Sequence, residues 1–275
     1  ENEGYGISSE FVNSIRSGEI DVDLLITVDC GISEIEKIEE ITKLNKEVII
    51  LDHHQCRDEL PKAYAIINPK QKDCPSENKH LCAAGLSFKF LLYLNKFLKI
   101  NDIEDILLEY ACLGTIADIV DLVKDNRIIA VHGLKKMNNT KIIGLKKLIE
   151  VSGIQDKLIK SYHIGYILAP RINAAGRMSS AHKAIELLLT KDENEAEKLA
   201  GELENFNVLR KEAESLIFNE AVEKIESDFL YKKNVIVVYG QDWHEGVIGI
   251  VASRLTEKYN KPSIVISVKD GIGKG

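Results

Sequence analysis

No uninterrupted apolar run in this 275-residue sequence approaches the roughly 20 residues of a membrane-spanning helix. The opening residues, Glu1-Asn2-Glu3-Gly4-Tyr5-Gly6, are acidic and polar, which fits neither a signal peptide nor a transit peptide. Position 1 is not Met, so the chain is expected to begin inside a longer protein. No CxxC pair occurs among the five cysteines, Cys30, Cys56, Cys74, Cys82 and Cys112. An odd count without a signal peptide points to reduced thiols and a cytoplasmic setting. Cys30 and Cys112 sit in apolar surroundings and read as small core residues, and the irregular spacing of Cys56, Cys74 and His80 argues against zinc. Excess positive charge is lacking too: the net charge is −7, which argues against a globally basic nucleic-acid coat but leaves a local basic groove open. Internal repeats and low-complexity tracts are absent.

What remains is an ordinary globular composition, 45% hydrophobic and 29% charged, which excludes disorder and is long enough for two modest domains or one large one. Asp23 to Val28 reads as a buried strand, Glu34 to Leu44 as an amphipathic helix and Glu47 to Leu51 as a second buried strand. This β-α-β spacing predicts an α/β fold with a parallel sheet and flanking helices. Ala65 to Ile67 reads as a short strand, and Cys82 to Leu98 and Ile106 to Ile119 as apolar helices. Gly144 to Ile149 and Ala181 to Leu189 look like short helices, and Gly165 to Met178, with its Pro, Gly and Asn, like an ordered loop with a short helical part. Asp192 to Ser227 predicts a long helix of the kind that bridges domains. Val235 to Tyr239, Gly246 to Tyr259 and Ser263 to Ser267 then repeat strand, helix and strand.

Both early strands end in polar residues, Asp29 and Asp52-His53-His54. Ligands of open parallel sheets bind beyond the carboxyl ends of the strands, so these two ends are candidates for one site. Imidazole with carboxylate suits a transition-metal cation better than Ca²⁺. A third feature, Gly114-Thr115-Ile116-Ala117-Asp118, sets a carboxylate among apolar residues, where it needs a cation or hydrogen bonds. Taken singly, each feature also has a structural explanation: a solvated turn at Asp52-His53-His54, an N-cap at Asp29, a local ion pair of Asp118 with Arg127. Together, three such positions within 90 residues are far more specific.

In this order, Val28-Asp29-Cys30-Gly31, Leu51-Asp52-His53-His54 and Gly114 to Asp118 resemble the second, third and fourth motifs of the DHH phosphoesterases. The resemblance implies a centre of two divalent cations, Mn²⁺ or Mg²⁺. It assigns Asp29 as bridging ligand and His53 and Asp118 as terminal ligands. It sets His54 facing the scissile phosphate and Asp52 behind, orienting an imidazole. The family's first motif, Asp-x-Asp at the end of a strand, has no counterpart here. Asp21-Val22-Asp23 matches only in letters, because it precedes a strand and lies too close to Asp29. The expectation is that the missing strand lies before this chain, which would then bind metal weakly and be nearly inactive alone.

Further stretches resemble the RecJ-type branch: Ala65 to Gln71, Ala169 to Met178, Leu203 to Arg210 and Trp243 to Leu255. That branch implies a 5′→3′ exonuclease of single-stranded DNA in recombination and repair. Single-stranded DNA is the partner it implies, with single-strand-binding protein and a helicase as further candidates and a monomer as the expected state. Arg171, Arg177, Asn173 and His244 become candidates for phosphate or nucleotide contact, since the guanidinium fork suits phosphate oxygens. Against this, Arg177 also suits a bond to helix carbonyls. The expected organisation is a DHH domain over 1–191, a connecting helix over 192–230 and part of a DHHA1-type domain over 231–275, whose Ser-Gly-Arg-Ser and Gly-Gly-His motifs would follow Gly275. Two other readings stay open: a DHH enzyme acting on oligoribonucleotides or cyclic dinucleotides, and a non-catalytic DNA-binding subunit.

Overall fold

Two apolar runs that each end in aspartate become the first two strands of a sheet. The computed structural model describes residues 6–101 and 103–275, so the polar stretch 1–5 lies outside the described residues. Strand β1 (Leu24–Val28) pairs with β2 (Glu47–Leu51), and β2 with β3 (Ala65–Ile67). Both pairings are parallel, with Val28 opposite Leu51 and Leu51 opposite Ile67. This register delivers Asp29 and Asp52 to the same rim. The ladder holds both: Asp29 N donates to Leu51 O at 2.9 Å, and Asp52 N donates to Ile67 O at 3.1 Å.

Helix α1 (Ser9–Ser17), not expected above, is capped by Ser8, which accepts from Phe11 N, and ends at Gly18 in the left-handed region. With α2 (Ile35–Lys43) it covers one face of the sheet, burying Val12, Ile15, Ile38 and Ile41 against Val48 and Ile50. Full burial of each such side chain is worth roughly 1.5–3 kcal/mol. Helices α3 (Ala83–Leu98), α4 (Ile103–Ala117) and α5 (Lys124–Met137) follow, with α4 packed between the other two. The α4–α5 contact is close: a Cβ on Gly133 would stand 2.2 Å from Cys112 Cβ. Helix α5 was also not expected from the sequence.

The chain continues through α6 (Ile143–Val151), α7 (Ser161–His163), a π-helical turn (Ile164–Leu168), α8 (Ala169–Met178), α9 (His182–Leu189) and α10 (Glu193–Ser227). Residues 161–178 are therefore helical without a break, which corrects the expected loop over Gly165 to Met178. Pro170 follows directly on the π-helical turn, whose widened register, with Ala169 N donating to Ile164 O, accommodates a residue without an N–H inside a continuous helix. After α10 come β4 (Ile236–Gln241), α11 (Glu245–Tyr259), β5 (Ser263–Lys269) and β6 (Ile272–Lys274). In this second sheet β4 and β5 are parallel, and β6 adds antiparallel to β5. Its core joins Ile217, Ala221 and Ile225 of α10 to Ile236, Val238, Trp243, Val247 and Val251.

The chain divides into two compact units, residues 1–142 with 154–169, and residues 143–153 with 170–275. The sequence reading carries the first domain to residue 191, whereas α6, α8 and α9 group here with α10. The reason is packing: α6 and α9 both lie on α10, and Gly144 approaches the Leu187 backbone so closely that a Cβ would stand 1.6 Å from its carbonyl oxygen.

Candidate metal centre

The first unit gathers its polar strand ends into one cluster. His53 Nε2 lies 3.1 Å from Asp29 Oδ1 and 3.6 Å from Asp118 Oδ2. One donor atom each from Asp29, His53 and His54 lie within 4.8 Å of one another. Three elements supply these groups: the ends of β1 and β2 and the residue following α4. Asp29 is not the N-cap of the next helix. It adopts φ 63°, a left-handed conformation that aspartate tolerates better than most residues. Gly31 follows at φ 109°, where a Cβ would be 2.6 Å from Thr27 Oγ1, so this turn requires glycine. Asp118 N donates to Gly114 O of α4 at 2.9 Å.

Asp52 is the anchor of the cluster. Its side chain is 1% exposed. Oδ2 accepts from Ile32 N at 3.0 Å, and Oδ1 accepts from His53 N at 2.7 Å and His54 N at 3.1 Å. His54 Nδ1 lies 2.7 Å from the same Oδ1, which leaves Nε2 as the ring atom of His54 available to a ligand. Asp52 therefore reaches the cluster only through its neighbours and is a positioning residue. Asn68, 2% exposed, completes the brace by donating to His54 O at 3.0 Å, a role the sequence did not reveal.

The charges are crowded. Hydrogen bonding to Asp29 raises the His53 pKa, and the Asp118 charge adds to it against the cost of burial. Burial, with Asp29 alongside, pushes the Asp118 carboxyl up, against the pull of His53 and His54. Burial also opposes charge on Asp52, but the donors converging on it outweigh this and hold its pKa below the usual range. Two carboxylates that share an imidazole, one of them in a position that disfavours its own charge, fit a divalent cation, which would relieve both. Asp21, the literal match to the family's first motif, is exposed and pairs with Lys46 at 3.5 Å. His80 pairs with Asp121 at 3.0 Å. A cavity of about 1010 Å³ lies elsewhere in this unit, lined by Phe88, Leu92, Leu108, Glu109 and Ile129, and shares no residue with the cluster.

The other four candidates lie in the second unit. Arg171 is 9% exposed and ion-paired with Glu204 of α10, so its guanidinium braces α8 on α10 instead of standing open for phosphate. The partner lies 33 residues away, and nothing local announced it. Arg177 Nη1 donates to Gly246 O at 3.0 Å, the helix-carbonyl alternative. A Cβ on Gly246 would stand 2.4 Å from Arg177 O, so the start of α11 and the end of α8 fit backbone to backbone. His244 is the N-cap of α11, its Nδ1 accepting from Gly246 N at 3.2 Å. Asn173 is exposed on α8.

Residues 4–115 match the DHH family, N-terminal domain. Over 275 residues it is 39% identical to the single-stranded-DNA-specific exonuclease RecJ of Bacillus subtilis (strain 168), covering 99% of this chain and 34% of that protein. Against the protein of the same name from Escherichia coli (strain K12) it is 36% identical, covering 99% of this chain and 50% of the relative. Among solved structures, exonuclease RecJ bound to manganese superposes with a TM-score of 0.85 at 32% identity, over 96% of this chain and 65% of that one. RecJ from Thermus thermophilus in complex with Mn²⁺ gives 0.81 at 32% identity, over 95% and 38%. The chain thus spans a third to a half of the length of these curated relatives.

Proposed function

We propose that this chain carries the metal centre of a phosphodiesterase that degrades single-stranded DNA from the 5′ end. The convergence of Asp29, His53, His54 and Asp118 carries the reading. It is supported by RecJ relatives that match nearly the whole chain and by neighbours solved with Mn²⁺.

Asp29, His53 and Asp118 are the residues that would hold the cations. When bound, divalent cations supply positive charge to the scissile phosphate and lower the pKa of water. Asp52 accepts from His54 Nδ1 and so fixes the ring, leaving Nε2 as the atom that faces the phosphate, a donor to its oxygens when the ring is doubly protonated. Asn68 holds the same turn by its backbone. Arg171 and Glu204 keep α8 in place, and Asn173 is exposed on that helix.

The test is Mn²⁺-dependent release of nucleotides from 5′-labelled single-stranded DNA by the full-length protein, beside a dinucleotide substrate. Loss of release with His53→Ala and with Asp118→Ala supports the reading. Full activity in both variants overturns it, and preference for the dinucleotide moves the assignment to the small-nucleotide branch of the family.

A further inference from the structure

Tyr162 and Tyr166 stand one helical turn apart with ring centroids 4.9 Å apart and planes 26° from parallel. They are 61% and 74% exposed, so each ring covers little more than its partner. His163 extends the cluster, its ring edge-on to Tyr162 with centroids 5.9 Å apart, and its Nδ1 accepts from Lys160 N at 3.0 Å. In the segment that leads into them Lys157 and Lys160 are exposed, as is Leu158 at 68%. Asp156 is the sole acidic residue between 154 and 166, and it is engaged by Gln155 Nε2 at 3.2 Å. Tyr166 sits on the π-helical turn, an element that recurs at functional sites, and Tyr162 on the short helix that leads into it.

Stacking within a helix accounts for one face of each tyrosine and leaves the remainder of two large rings in water. Open aromatic faces beside lysines are the combination that holds single strands: the bases stack and the phosphates meet ammonium groups. An apolar protein groove offers no counterpart to these lysines, whereas a single strand supplies both bases and phosphates. We infer that Tyr162 and Tyr166 form a base-stacking platform for single-stranded DNA, with Lys157 and Lys160 contacting its backbone. The inference rests on the proposed substrate class and adds to it a location outside the metal cluster.

The test is fluorescence anisotropy with a labelled oligothymidylate and with an abasic strand of the same length, in EDTA so that both stay intact. Replacing Tyr162→Leu and Tyr166→Leu together should weaken oligothymidylate binding by about ten-fold, the scale of one lost base stack, and leave abasic binding unchanged. Replacing both with Phe should retain wild-type affinity. Equal binding of the leucine variant and the wild type overturns the inference alone, as does an equal loss on both strands. A wild-type protein that binds neither strand overturns the substrate reading and the platform with it.

Discussion

The imidazole of His53 lies 3.1 Å from the carboxylate of Asp29, and a parallel register of β1 and β2 brings them there. Each residue leaves its strand at the same rim, where Asp118 arrives from the end of α4. The site is therefore a property of the sheet's register and not of any one motif.

Asp52 holds that geometry without touching a ligand. Replacing Asp52→Ala removes the acceptor of Ile32 N, His53 N, His54 N and His54 Nδ1 together. Mn²⁺ affinity should fall by about 10–100-fold, the usual cost of losing a residue that orients ligands. Global stability should fall by roughly 1–3 kcal/mol from the stranded donors. Titration calorimetry and urea denaturation would measure the two effects. Unchanged metal affinity would remove Asp52 from its positioning role.

Glu109 gives the fold a pH dependence. It is 5% exposed, and burial raises its carboxyl pKa against the pull of Thr140 and Lys136. A raised folded-state pKa means that the neutral form is favoured. Its stabilising contribution is complete below the unfolded value and is lost as pH rises through the folded one. Glu109→Gln keeps the shape and removes the charge, so it should raise the melting temperature by a few degrees at about pH 8 and change little at about pH 4. A variant less stable than wild type at the higher pH would show that the buried carboxylate is charged and satisfied.

Arg171 and Glu204 make a double-mutant cycle informative. Arg171→Ala leaves a half-buried carboxylate unpaired and should cost roughly 1.5–3 kcal/mol. Replacing both with apolar residues of similar size should cost less than the single change. Urea midpoints of the four proteins test this. If Arg171→Ala left stability intact and weakened only DNA binding, the brace would be wrong and the phosphate contact right.

Much of this was legible in sequence because the signals are local. Val48 to Leu51 is continuously apolar, so a strand and its polar end at Asp52 stand out, as does the capped run from Asp192 to Ser227. Helix α1 has its apolar residues on one face but spans only nine residues, too few to stand out, and α5 distributes its apolar residues around the helix, so it does not announce itself by period. Pro170, Gly165 and Gly176 disguised a helix as a loop, because a π turn accommodates proline in a way that letters alone do not show. Partners distant along the chain were out of reach: Glu204 for Arg171, Gly246 for Arg177 and Asn68 for the His54 carbonyl.

The central claim is that Asp29, His53 and Asp118 form one cation site. Calorimetric titration of Mn²⁺ into the wild-type protein and into Asp29→Asn, His53→Ala and Asp118→Ala tests it most directly. Saturable binding by the wild type, weakened by about ten-fold or more in each variant, is the predicted result. Three variants that bind Mn²⁺ as tightly as the wild type would contradict it.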